Sequence, residues 1–216
     1  MNRSSRSSCI RIVIVGLLSA VMTAAGPAVG SANASDATAC GLMTQHEMAK
    51  AFDLQEALFE NTVLREPGNP AGVVHVRCRA SAWKGEKPMN ATQRRRALLS
   101  GTFAQMRIET WVADPGPYEG AWLANFPHKL EGLKERAEAQ FLNGSLKGST
   151  FAPPHYGAEG AIGYKADTAK TTKVRAFWWT AATGEIVSFT IEEARGRPAV
   201  SSLKTLAARM VPGVAT

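Results

Sequence analysis

Eight consecutive residues, Val73-Val74-His75-Val76-Arg77-Cys78-Arg79-Ala80, sort two kinds of side chain with a period of two. In an extended chain Val74, Val76, Cys78 and Ala80 fall on one side, and His75, Arg77 and Arg79 on the other. A helix would scatter both sets around its axis, so the run reads as a strand. A strand with one dry and one solvated edge belongs in a sheet whose apolar face is covered. Cys78 lies on the dry side.

The same logic places further elements. Residues 103–113 read as a second strand, with Met106, Ile108 and Val112 alternating with Gln105, Arg107 and Glu109, and Asp114-Pro115-Gly116-Pro117 ends it. Val174–Thr180 and Glu185–Glu192 flank Ala181-Ala182-Thr183-Gly184, the pattern of a β-hairpin. Ala161–Tyr164 reads as a short strand. Thr44-Gln45-His46-Glu47 fits a capping box with Met43 and Met48 at the staple positions, so a helix is expected over about 44–53. Trp122, Phe126, Leu130, Leu133, Ala137 and Phe141 recur every three or four residues, predicting helix over 119–142, kinked or split at Pro127 and Gly132. A last helix follows Pro198, carries Val200, Leu203, Leu206, Ala207 and Met210 on one face, and is expected to stop at Pro212-Gly213. Residues 61–72 and 143–158 read as loops, and the polar stretch 84–97 as a connection. The expected fold is α+β: a mostly antiparallel sheet of four to five strands, helices packed on one face, and one disulfide. The two halves look alike at this level, without an alignable repeat.

Arg3, Arg6 and Arg11 precede an apolar run from Ile12 to Ala25, and Ala32-Asn33-Ala34 follows. A basic start, a short apolar stretch and an A-x-A site make a secretory signal peptide, with cleavage near Ala34. The expected organisation is residues 1–34 as signal peptide and 35–216 as one secreted domain with no integral membrane segment. The 216 residues are 45% hydrophobic and 20% charged, which suits one globular domain and excludes collagen, wholly disordered and polytopic membrane classes. The formal net charge of +7 falls by three with the signal arginines. The remaining bias toward anionic surfaces is mild, and no nucleic-acid partner is expected. Three cysteines are too few for a disulfide-dense miniprotein. Cys9 leaves with the signal peptide, so Cys40 and Cys78 are expected to pair in an oxidising compartment. Closing that loop would stabilise by roughly 4 kcal/mol. Ala37-Thr38-Ala39 before Cys40 is no lipobox, so lipidation there is rejected.

Cys40-Gly41-Leu42-Met43-Thr44, with Glu47 and Ala49, resembles the Cys-x-Leu-Leu-Thr-x-x-Glu-Val opening of small exported actinobacterial proteins. Gly157-Ala158-Glu159-Gly160-Ala161 is similar to the Gly-x-Gly-Asp-x-Ala segment before their last hairpin. The family includes secreted lipoproteins of unknown function and is similar to extracellular sensor domains of some mycobacterial serine/threonine kinases. The resemblance spans roughly residues 40–212. It implies the disulfide and an α+β fold, but no chemistry.

No catalytic residue is singled out. His46-Glu47 lacks the second His of a zinc-protease helix, Lys50 standing in its place. His75, His128 and His155 are scattered, and no metal site or cofactor is expected. Glu192 and Glu193 are expected on opposite strand faces, a poor general acid/base pair, and Glu109 and Glu159 are candidates only because nothing excludes them. Two surfaces are candidates for a ligand or partner. In the first, His75, Arg77 and Arg79 share a strand face with Arg107 if the two strands pair, near Arg94–Arg96. This is a cationic patch for an anionic polymer, lipid head group or protein, or else an ordinary solvated face partly neutralised by Glu109. The second is a hydrophobic cleft beside Trp178 and Trp179, with Phe177 and Tyr164 nearby, for a small apolar ligand; core packing is the competing reading. The expected function is a secreted, non-catalytic binding or sensor-like domain for an envelope component, small apolar ligand or protein partner. The alternative is an exported envelope hydrolase without a recognisable motif.

Overall fold

The computed structural model describes residues 43–64, 72–143 and 147–214. Residues 1–34, expected as a signal peptide, Cys40 and the expected loop at Pro67–Pro70 lie outside them. The described part falls within one compact unit. In chain order the elements are α1 (Gln45–Ala51), β1 (Glu56–Leu64), β2 (Val73–Trp83), α2 (Ala91–Ser100), β3 (Phe103–Ala113), α3 (Glu119–Phe141), β4 (Lys147–Phe151), β5 (Gly160–Asp167), β6 (Thr171–Thr180), β7 (Glu185–Ala194) and α4 (Ala199–Val214). The strands form one sheet in the order β1-β2-β3-β7-β6-β5-β4. Every neighbouring pair is antiparallel. The chain lays down three strands, crosses through α3 to the far edge, and returns strand by strand until β7 meets β3.

The α+β class and the antiparallel sheet match the sequence reading. The four to five expected strands are seven among the described residues. β1 and β4 fall in stretches without a clear strand pattern, partly in the expected loops 61–72 and 143–158, and α2 occupies the expected polar connection. Thr44 and Glu47 form the expected capping box: Glu47 N–H donates to Thr44 Oγ1 at 3.2 Å, and Thr44 N–H to Glu47 Oε2 at 2.9 Å. A second such box, unread in the sequence, opens α2, where Gln93 N–H donates to Asn90 Oδ1 at 2.9 Å. α3 runs as one helix through Pro127 rather than splitting. α4 continues through Pro212-Gly213 to Val214.

The helices do not share one face, as the sequence reading expected. α1 and α4 cover the side bearing Val76, Cys78, Met106, Ile108, Phe189, Ile191 and Trp178, and contribute Met48, Phe52, Leu203, Leu206 and Met210 to that core. α3 packs on the opposite side, where its stripe from Trp122 to Phe141 meets Trp111, Tyr164, Phe177 and Ile186. The physical reason lies in β6. Its run Ala176-Phe177-Trp178-Trp179 is apolar at odd and even positions alike, and such a strand requires cover on both faces. Each large side chain buried this way is worth about 1.5–3 kcal/mol. Two glycines permit the fit. Gly184, at φ +66°, turns the β6–β7 hairpin so that its carbonyl accepts from Trp122 Nε1 at 2.8 Å. At Gly148 a Cβ would lie 1.8 Å from the Phe141 carbonyl oxygen, so β4 can pass the end of α3 only without a side chain.

Cys78 is fully buried in the core on the α1–α4 side of β2. Glu193, the neighbour of Glu192 in β7, points into the α1–α4 core and is 0% exposed. Neither of its oxygens finds a hydrogen-bond partner among the described residues. Burial pushes its pKa up to about 7, with Arg197 opposing. The folded chain therefore holds a proton between about pH 4.5 and 7 that the unfolded chain has released. Stability should fall as pH rises through this window and stay lower above it. Glu193→Gln should remove that slope and raise stability at pH 8 by up to about 3 kcal/mol. Denaturant melts of both proteins at pH 5 and pH 8 measure this, and a parent protein with no loss between the two would contradict it.

Candidate functional site

Pairing β2 with β3 sets His75 opposite Trp111, Arg77 opposite Glu109, Arg79 opposite Arg107 and Ser81 opposite Gln105. Pairing β3 with β7 and β7 with β6 extends these rows to Ser188 and Phe177, to Thr190 and Arg175, and to Glu192 and Lys173. All these side chains stand on the face that α3 covers in part. The expected union of Arg77, Arg79 and Arg107 on one face is thus present.

Glu109 occupies the centre, 5% exposed. Its Oε1 accepts from Arg77 Nε at 3.0 Å and Nη2 at 2.8 Å. Its Oε2 lies 3.2 Å from Arg107 Nε and 3.7 Å from Arg175 Nη2. His75 Nε2 stands 3.6 Å from Oε1. Burial alone would raise the carboxyl pKa, but the contact with His75 and the charges of Arg107 and Arg77 outweigh it and hold it at about 2. Arg175 is itself buried. Desolvation lowers its pKa to about 10, Glu109 opposing and Arg107 and Arg136 adding to the fall. Its Nε donates to Ser188 Oγ at 3.2 Å, and its guanidinium lies 4.7 Å from the Phe177 ring centroid.

Beside this network lies an open groove of about 360 Å³. Arg79, Lys87, Arg94, Arg107 and Lys173 line it, against the carboxylates Glu60 and Glu192. Glu192 already accepts from Gln105 Nε2 at 2.9 Å. Trp83, Phe103 and Leu58 close one end. Arg94 reaches the groove from α2, a helix rather than the expected loop. Sequence reasoning missed Lys173, Arg175 and Thr190. The signal for the first two was present: Thr172, Val174, Ala176 and Trp178 alternate with Lys173, Arg175, Phe177 and Trp179.

The other candidate residues are placed differently. His75 is 1% exposed and stacks on Trp111 at 4.4 Å between centroids, so it belongs to the buried network and not to the surface. Trp178 and Trp179 point to opposite faces as expected, but neither lines the open groove. Trp178 is fully buried, its Nε1 donating to the Pro154 carbonyl at 2.8 Å. Trp179 is half-buried with Lys134 Nζ 4.7 Å from its ring centroid. The pocket that both border, with Ala158 and Val211 among its walls, offers about 10 Å³, room for at most one water. Glu159 accepts from the Ala181 and Ala182 N–H groups at 2.9 and 3.2 Å, which ties the hairpin turn. Among the described residues no three His, Cys, Asp or Glu side chains gather as metal ligands, and no helix is long and apolar enough to cross a membrane. No known family model matches the chain, and no curated protein matches it.

Glu109→Gln would leave Arg77, Arg107 and Arg175 facing one another without their shared counter-charge. Destabilisation of about 3–5 kcal/mol is expected. The parent's contribution from Glu109 should be complete above pH 4.5 and vanish as pH falls toward 2, because the folded pKa lies below the unfolded one. Urea melts of the two proteins between pH 2.5 and 7 test both statements; equal stability at pH 7 would refute the structural role.

Proposed function

We propose that this chain is an extracytoplasmic, non-catalytic binding domain whose basic groove holds an anionic component of the cell envelope. The carrying observation is the Arg79–Arg107 pair. Like charges directly opposite on neighbouring strands destabilise a sheet. Among the described residues Arg79 makes no ion pair, although Glu60 stands opposite it on β1, and Arg107 pairs with Glu109 alone. An anionic ligand would offset that repulsion.

The carboxylates support the non-catalytic reading. Glu109 is locked as an anion by its cations, far below the range of a useful general base near neutral pH. Glu193 has the right range, but it is sealed in the opposite core, out of a substrate's reach. The small size of the space at Trp178 and Trp179 argues against the apolar-ligand version. In this reading residues 1–34 direct export, Cys40 is the partner of Cys78, and the bond fastens the chain ahead of α1 to the covered face of β2.

Polyphosphate titrated into the protein should bind with an affinity that falls steeply as salt rises, since each phosphate contact releases counterions. Arg79→Gln should weaken it about tenfold. Lys50→Gln, on exposed α1 across the sheet, should leave it unchanged. A salt-independent affinity, or equal effects of the two substitutions, would remove the groove from consideration.

A further inference from the structure

Within the groove one residue is out of keeping with a merely solvated surface. Thr190 is 8% exposed, and its hydroxyl has no hydrogen-bond partner among the described residues, though the side chain lines the groove. A buried hydroxyl without a partner costs free energy. It stands directly opposite Arg107, which stands directly opposite Arg79. Lys173, one strand beyond and one row away, makes no ion pair among the described residues. Burial lowers the pKa of its ammonium, Glu192 opposes, and Arg107 and Arg175 add to the fall. Three cations and an unused hydroxyl thus converge on one floor.

We infer that this floor is a phosphoryl site: Arg79, Arg107, Lys173 and Thr190 Oγ1 hold the oxygens of a phosphate ester whose organic part extends along the groove toward Trp83. The inference rests on the reading of the groove as an anion-binding surface and goes further by naming the anion. Charge and direction decide between anions. A carboxylate carries one negative charge on two oxygens in a plane. A phosphate monoester carries close to two charges on three oxygens spread around phosphorus, which matches donors arriving from two arginines, a lateral lysine and the floor. Arg107 lies in an ion pair with Glu109 on its Nε side, and among the described residues no hydrogen bond occupies its terminal N–H groups. From Arg79 to Trp83 the strand advances about 13 Å, room for a small alcohol or sugar beyond the phosphoryl group. A volume of about 360 Å³ is at the lower end for small-ligand pockets.

The test uses the full chain and calorimetric titration with phenyl phosphate, benzoate and inorganic phosphate. Phenyl phosphate should bind at least about tenfold more tightly than benzoate. Thr190→Val and Lys173→Gln should each weaken phenyl phosphate about tenfold, and Thr190→Ser should restore most of the loss. Melting curves report whether each variant is folded, and the exposed Arg79→Gln gives an independent loss if Thr190→Val unfolds. Vesicles containing phosphatidic acid distinguish the source. Retention that phenyl phosphate competes away supports a lipid head group, and phenyl phosphate binding without retention supports a soluble ester. Benzoate bound as well as phenyl phosphate, or full affinity in folded Thr190→Val, overturns the phosphoryl site. Polyphosphate binding that still depends on Arg79 would then leave the broader anion reading standing, whereas its absence would end both.

Discussion

A single buried carboxylate organises the open half of this sheet. Glu109 stands where β2, β3, β7 and β6 lie side by side, and it is the only anion within reach of Arg77, Arg107 and Arg175 among the described ion pairs. Without it three guanidinium groups would share one low-dielectric patch. With it, each arginine is held in a fixed direction. Buried ion pairs are weak evidence for stability, because desolvation of both partners consumes much of their attraction. Their value here is positional. Arg77 is tied to Glu109 on β3, Arg175 lies against the Phe177 ring, and Arg107, paired with Glu109, lines the groove.

Around that centre the two faces of the sheet have different tasks. Among the described residues the α1–α4 face is an apolar core in which Glu193 is the buried carboxylate, beside Thr110 and Thr172. On the α3 face the rows run from apolar at Trp111, Ile186 and Trp179, through the Glu109 network, to polar at Gln105, Glu192 and Lys173. The His75–Trp111 stack marks the change of regime: imidazole and indole lie flat on each other, with Lys129 Nζ 5.6 Å from the indole centroid.

Legibility of this fold in the sequence followed how many faces each element buries. β2 and β3 each have one dry face, so period two revealed them, and β3 was placed to the residue. The stripe of α3 was equally plain. β1, Glu-Ala-Leu-Phe-Glu-Asn-Thr-Val-Leu, is an edge strand with no clean alternation. β4, Lys-Gly-Ser-Thr-Phe, is an edge strand with almost no apolar content, and its tell is a glycine chosen for space beside α3. α2 buries only Leu98 and carries three consecutive arginines, so no stripe existed to read; its Asn90–Gln93 capping box was the available signal. Of the candidate site, Arg77, Arg79 and Arg107 were legible because their strands pair in register. Thr190 was not, and the alternation that puts Lys173 and Arg175 on one face of β6 did not tie them to this site, since β7 joins β3 only after the chain has crossed the sheet and returned. His75 was misjudged for a related reason. Alternation gives the face of a side chain, but not whether a neighbouring strand supplies a ring to cover it.

The groove itself follows from where α3 begins and ends. The helix leaves β3 by the short turn 114–118, anchors Trp122 on the β6–β7 turn, and finishes with Phe141 against β4 at the opposite edge. A path between those two points packs against β3, β5 and β4 and crosses the sheet obliquely. It cannot also cover β1 and the far ends of β2, β3, β7 and β6. That uncovered area must be hydrophilic to stay soluble, and lysine, glutamate or serine in balanced numbers would have met the requirement. Its actual content is different: arginines set opposite each other and a hydroxyl buried without a partner. Solvation alone does not call for either feature. Both are accounted for when the area left open by the helix is a place where an anion sits.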